Sequence, residues 1–263
     1  LKIRRARAFI RRHPSAIWSN MADWNPAEML GEHPKPLDTS LYRYLIANRT
    51  WTKARASLGY RDATPKELID DIAGYPYVNV EASFESLCPA ALSDSLAHRL
   101  VKNRIGFLVN QPELHDKVEF EVMFTCADVV RPARTHVLTD AGFPARDVAS
   151  IENALTLLTS SHLMNIQALL NEDMLRRKRL MNWLHRSSLS PENDNDHSAE
   201  LDYIVAGLRN CRDLGTFSFS RLSRLAFVAR DLLGRMVVAG ALSHDEYESF
   251  WRSINTTATN VVA

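Results

Sequence analysis

Residues Thr135–His185 read THVLTDAGFPARDVASIENALTLLTSSHLMNIQALLNEDMLRRKRLMNWLH. Apolar residues recur through this run at helical rather than alternating spacing, which predicts helix with breaks at Gly142-Phe143-Pro144 and near His162. A polar linker follows, Ser190-Pro191-Glu192-Asn193-Asp194-Asn195-Asp196, with no apolar residue to pack, and the helical pattern then resumes almost to the end. Ser243-His244-Asp245-Glu246 is a capping box, a serine that bonds the N3 amide while the N3 glutamate bonds back, and it opens a helix through Tyr247, Phe250 and Trp251.

Toward the amino terminus the pattern is mixed. Pro34 and Pro36 break the chain, and a helix capped by Asp38 or Thr39 is expected to place Leu41, Tyr44, Leu45, Trp51, Ala54 and Leu58 on one side, with an interruption near Asn48 and Gly59 at its end. Thr64-Pro65-Lys66-Glu67 reads as a second capping box, predicting a helix to Ala73 that stops at Gly74. Ser93 is placed to cap a helix over Leu92–Val109. Strands are predicted at Ala16–Trp24, at Tyr77–Phe84 and over Lys117–Cys126, where Val118, Phe120, Val122 and Phe124 alternate with Lys117, Glu119, Glu121 and Met123. The predicted fold class is therefore α+β, predominantly α-helical, with a few short strands around 16–24, 76–84 and 117–126. The scarcity of glycine, 9 among 263 residues, disfavours propellers and jelly rolls that need many tight turns.

The charge balance, 32 Lys and Arg against 31 Asp and Glu, selects no polyanionic partner, so neither nucleic acid nor a membrane surface is expected. A basic run, Lys2 to Arg12, is read as a solvated helix. Three cysteines, Cys88, Cys126 and Cys211, form no C-x-x-C pair, and no apolar run reaches the ~20 residues of a membrane span. With no secretory leader in the first residues, a reducing cytoplasm is expected, and a start at Leu1 suggests a piece of a longer polypeptide.

Candidate chemistry is sparse. No histidine pair has zinc-ligand spacing, Arg134-Thr135-His136 lacks the glycines of a phosphohistidine loop, and P-loop, dinucleotide and serine-hydrolase motifs are missing. Arg221 and Arg224 follow the small polar stretch Gly215–Ser220, where a helix start could hold a phosphate; pairing with carboxylates is the competing reading. Lys117, Glu119 and Glu121 are read as facing water. At Asp23-Trp24-Asn25-Pro26-Ala27-Glu28, an acid and an amide two apart on a strand would share a face and reach one Mg²⁺. The alternative is a turn in which Asp23 and Asn25 bond local backbone and Pro26 opens a helix.

Several stretches taken in order, Met21–Gly31, Leu41–Ile46, Gly59-Tyr60-Arg61, Pro76–Phe84, His115–Glu121, Gly215 to Phe227 and Ser253–Thr256, resemble the middle region of PEP-synthase-like, PEP-utilising phosphotransferases of the pyruvate phosphate dikinase type. The resemblance runs from about Ile17 to Asn255. It implies a multidomain kinase in which a phosphoryl group moves from ATP through a histidine to a small-molecule acceptor, with neighbouring ATP-grasp and phosphohistidine domains of the same polypeptide as partners. It further implies Mg²⁺ and ATP as cofactors, Asp23, Asn25 and Glu28 as metal ligands, and Arg43, Arg61 and Arg224 as phosphate or substrate contacts, with Arg221 a further candidate from the helix-start reading alone. Residues 1–32 would be the end of an ATP-grasp-like strand and linker, 33–130 a mixed α/β segment, and 131–263 a helical segment. Two departures stand out: Ala27 where ATP-grasp enzymes carry arginine, and Asn79 and Glu81 where the family pattern has Asp and Arg. The isolated segment is expected to be inactive, and a non-catalytic helical scaffold or protein-interaction module is the alternative function.

Overall fold

The computed structural model describes residues 17–130, 133–187 and 197–254. The basic run 2–12 and the linker 190–196 lie outside them. The architecture is predominantly helical with one small sheet, as the sequence predicts.

The sheet has three antiparallel strands in the order β1-β3-β2: β1 (Trp18–Ser19), β2 (Ile69–Ile72) and β3 (Tyr75–Asn79). β2 and β3 form a hairpin whose two-residue turn, Ala73-Gly74, has positive φ at both positions (61° and 96°), the geometry that matches strand twist. The helix expected over Thr64–Ala73 is therefore absent. Asp62 bonds the Thr64 amide (3.0 Å) and the Thr52 hydroxyl (3.1 Å), which holds the capping-box residues in a turn. Ile69 then pairs with Val78, and burial of both side chains outweighs the local helix signal. The second expected strand is shorter than predicted, because Asn79 caps helix α4 (Val80–Glu85) by accepting the Ala82 amide at 3.1 Å.

The third expected strand is a correction too. Val118–Val122 is a single π-helical turn, closed by the Met123 amide on the Val118 carbonyl at 2.8 Å. Val118, Val122 and Met123 are all buried, a set that alternation would split between two faces. No described strand pairs with this segment.

Helices α1 (Pro26–Leu30), α2 (Pro36–Tyr42) and α3 (Thr50–Ala56) precede the hairpin, with a π turn over Arg43–Ala47. Asp38 lies at the third position of α2, bonding the Lys35 amide at 3.0 Å, rather than at its cap. The expected interruption at Asn48 is present, and Arg49 there has φ 80°. α5 (Asp94–Asn110) starts on the Ser93 cap as predicted, and α6 (Val137–Asp140) leads into α7 (Ala145–Ser187). No break occurs at His162; α7 is continuous for 43 residues. α8 (His197–Asn210), a π-helical stretch Cys211–Thr216 and α9 (Phe217–Val238) run back beside it, as the Trp183–Tyr203 stack and the Asp173–Arg221 ion pair show. α10 (His244–Ser253) has the predicted capping box.

One hydrophobic core runs from Ala22 to Leu155 and includes Trp51, Ile69, Val78, Phe84, Leu100, Val118 and Ile151. Leu58, Tyr60, Leu158 and Leu225 form a smaller cluster that fastens the end of α3 to the long helices. No described helix is long and apolar enough to cross a membrane.

Candidate functional site

The site is built on a buried ion pair. Trp51, Ala54 and Leu58 give α3 an apolar face, and Arg55 sits on that face, 4% exposed. A buried guanidinium needs compensation, and Asp23 supplies it: Arg55 Nη2 lies 2.6 Å from Oδ1 and Nη1 2.7 Å from Oδ2, a bidentate pair. Ser83 of α4 donates to Asp23 Oδ2 at 2.9 Å, and the Ser86 hydroxyl accepts from Arg55 Nη1 at 2.7 Å. Burial works against the Arg55 charge, but Asp23, with Glu119 behind it, more than offsets this and holds the guanidinium above its ordinary range.

Asp23 reaches Arg55 from a left-handed turn. Asp23, Trp24 and Asn25 have φ of 57°, 54° and 33°. Asp and Asn tolerate this region; Trp does so only under constraint. The constraint is visible: the Tyr42 hydroxyl donates to the Trp24 carbonyl at 2.9 Å, and the Trp24 ring lies 5.9 Å from that of Phe219. Asp23 and Asn25 do not sit on a strand but in a turn followed by a helix from Pro26, as the second reading has it, although neither side chain bonds local backbone as that reading expects: Asp23 is held by Arg55 and Ser83, and Asn25 bonds the Glu28 side chain.

Beside the pair opens a cavity of about 340 Å³. Arg55 of α3 and three separate stretches line it: Asp23, Trp24, Asn25, Glu28 and Met29; Asp116, Glu119 and Phe120 from the π turn region; and Phe219, Ser220, Ser223, Arg224 and Phe227 from α9. Buried Asp23, Arg55, Ser220 and Arg224 form the inner end, whereas exposed Glu28, Met29, Asp116 and Phe219 form the mouth. The π turn sends Val118 and Val122 into the core and so turns Glu119 toward the cavity, its Oε1 3.7 Å from Arg55 Nη2. Burial, and next the Asp23 charge, raise the Glu119 carboxyl above its ordinary range despite Arg224 and Arg55. The expectation that Glu119 faces water is thus corrected; Lys117 and Glu121 are exposed, 3.9 Å apart.

Arg224 is the polar group with most unused capacity. It is 2% exposed, and among the described residues its Nη2 reaches only the Thr125 hydroxyl at 3.4 Å, while Nε and Nη1 are closed to solvent and have no hydrogen-bond partner. Its guanidinium faces the rings of Phe227 (5.4 Å) and Tyr60 (5.9 Å).

The candidate residues thus divide. Asp23, Asn25, Glu28 and Arg224 share the cavity. Arg43 lies outside it on Asp70 (2.9 Å) and Glu67 (3.9 Å), and Arg61 bonds Asp94 and the Leu92 carbonyl. Arg221, one turn before Arg224, is held by Asp173 at 2.9 Å and Glu172 at 3.1 Å, the carboxylate pairing that competed with phosphate binding. Nor does Gly215–Ser220 open a helix; the chain is helical through it from α8, so the amides expected to meet a phosphate are used within the helix. Glu81 is paired with Lys66 at 3.1 Å. In the Arg134-Thr135-His136 segment the arginine is held by Asp231 at 2.7 Å and the histidine Nδ1 lies 3.0 Å from the Ala133 carbonyl.

No protein-family model, curated protein or solved structure matches the chain.

As for a metal, both Asp23 oxygens are engaged by Arg55 and Ser83, and the described residues contain no cluster of three or more His, Cys, Asp or Glu placed to hold an ion. Asn25 and Glu28, joined by an Nδ2 to Oε2 bond of 3.1 Å, keep two further oxygens at the cavity mouth. Two protein oxygens suit Mg²⁺ when phosphates complete its shell.

Proposed function

We propose that the chain is the central segment of a cytoplasmic, ATP-dependent, PEP-synthase-like phosphotransferase, acting with ATP-grasp and phosphohistidine domains of the same polypeptide on a small-molecule acceptor. The observation that carries this reading is convergence: Met21–Gly31, His115–Glu121 and Gly215–Phe227, quoted for the resemblance, meet around one cavity, and Pro76–Phe84 contributes Ser83 to its Asp23.

In this reading Asp23 is a positioning residue, spent on Arg55, while Asn25 and Glu28 hold Mg²⁺, which would neutralise phosphate charge during transfer. Arg224 supplies a fixed positive group at the inner end of the cavity.

Filter binding of labelled ATP tests it. Mg²⁺-dependent retention by the wild type, lost with EDTA and in Asn25→Gly with Glu28→Gln, is expected; no retention, or retention unaffected by EDTA, would overturn the nucleotide role.

One observation favours the interaction-module reading for the far half of α7. Leu163, Ile166, Met174, Met181 and Leu184 fall on one stripe of the helix and are 38–65% exposed.

A further inference from the structure

A second opening, of about 350 Å³, lies between α3 and the π-helical stretch that precedes α9. Arg49, Thr50 and Lys53 line one side of it, and Arg212, Asp213 and Phe217 the other. Three cations stand against one carboxylate there, an excess of two positive charges. Asp213 is spent on Arg212, whose Nε and Nη2 donate to its two oxygens at 2.7 and 3.0 Å. That pairing holds the Asp213 carboxyl below its ordinary range, so it is ionised at neutral pH. Farther out, Arg209 and Asp62 bring one charge of each sign within electrostatic reach and leave the excess unchanged. The excess therefore sits on Arg49 and Lys53, both exposed. Among the described residues neither side chain has a hydrogen bond or an ion pair.

The Lys53 amide bonds the Arg49 carbonyl at 2.9 Å, so the two cations are one helical turn apart, on the same face, and repel each other. Arg49 also stands at φ 80°, a backbone that glycine adopts without strain. Beside it Thr50 is 6% exposed, and its hydroxyl has no hydrogen-bond partner among the described residues. Unlike the unpartnered hydroxyls of Thr64 and Ser218, that of Thr50 is not sealed from solvent. Two unmatched cations and an unmet hydroxyl at one opening suit an anion with two charges and several acceptor oxygens, as a phosphate monoester has and a carboxylate has not. Phe217, half-buried on the other side, offers the body of the ester an apolar contact.

We propose that this opening binds the dianionic head of a small phosphate monoester through Arg49, Lys53 and Thr50. The site shares no residue with the cavity around Asp23 and Arg55 and goes beyond the phosphotransferase reading, since it needs neither Mg²⁺ nor ATP.

The test is calorimetric titration of the full chain with phenyl phosphate and benzoate at pH 8 in EDTA, where the monoester carries about two negative charges and benzoate one. Phenyl phosphate is expected to bind at least about tenfold more tightly than benzoate, a tenfold ratio being about 1.4 kcal/mol. Lys53→Gln changes an exposed helical side chain and should weaken phenyl phosphate by at least about tenfold, whereas Lys102→Gln, at an exposed position of α5, should leave it unchanged. Arg49→Gly should weaken it as much without a fall in the urea midpoint, because glycine relaxes the backbone there. No binding, benzoate as tight as phenyl phosphate, undiminished binding in Lys53→Gln or Arg49→Gly, or an equal loss in Lys102→Gln would each overturn the proposal. Asn25→Gly with Glu28→Gln should keep phenyl phosphate binding, and Lys53→Gln should keep Mg²⁺-dependent ATP retention, so either claim can fail alone.

Discussion

Asp23→Ala removes the carboxylate that matches Arg55, and its effect follows from the geometry. The variant loses two charge-assisted hydrogen bonds of 2.6 and 2.7 Å and the bond from Ser83 at 2.9 Å, and leaves a guanidinium at 4% exposure. Removing one member of a buried pair costs about 3–5 kcal/mol, mainly because the other charge is left uncompensated. One feature lowers that figure here. Glu119 Oε1 is 3.7 Å from Arg55 Nη2, and the Asp23 charge is among the causes that keep its carboxyl raised. With Asp23 gone, Glu119 ionises more readily and takes over part of the pairing, so the expected loss is near the lower bound, about 3 kcal/mol. Adding Glu119→Gln removes this substitute, and the double variant should lose more than the sum of the two single effects. Urea unfolding followed by far-ultraviolet circular dichroism measures both. A loss below about 1 kcal/mol for Asp23→Ala, the size of an exposed pair, would refute the claim that this ion pair anchors the site.

Glu119→Gln alone has a pH signature. The Glu119 carboxyl is raised in the folded protein, so between the ordinary glutamate value of about 4.3 and the folded value the native state binds more protons, and stability falls as pH rises. The glutamine variant lacks this decline and should gain on the wild type across that window; parallel stability curves would contradict the assignment. Gly59→Ala places a side chain at φ 93° with its Cβ 2.8 Å from Leu158 Cδ1, and should cost about 1–2 kcal/mol, chiefly from the backbone, measured by the same unfolding. Tyr42→Phe frees the Trp24 carbonyl from its 2.9 Å bond and should cost about 1 kcal/mol, with weaker ligand binding as the left-handed turn loosens; unchanged stability would show that the turn is held by other contacts.

The helices were largely legible in the sequence because their signals are local. The Ser93 and Ser243 caps, the interruption at Asn48 and the long helix ending near His185 need only neighbouring residues to be read. The failures arise where distant residues decide. Thr64–Glu67 has every mark of a helix start, but Thr52 and Asp62 bond there and β3 recruits Ile69. Val118 to Phe124 alternates like a strand, but has no described strand to join and closes into a turn.

The site was legible by halves for the same reason. Asp23, Asn25, Glu28 and Arg224 could be singled out by residue type, yet whether an arginine is free depends on acids elsewhere: Asp70 for Arg43, Asp94 for Arg61, and Asp173 for Arg221. Arg55 was missed although a signal existed, a cation on the apolar face that Trp51, Ala54 and Leu58 define. Glu119 was misread because its direction depends on the π turn.

Hydrogen exchange of the backbone amides, with and without Mg-ATP, tests the central claim most directly. The account predicts that exchange slows together in Asp23–Met29, Asp116–Phe120 and Phe219–Phe227, the three stretches that line the cavity, and that α10 is unaffected. Slowing in none of the three, or slowing confined to other parts of the chain, would contradict it.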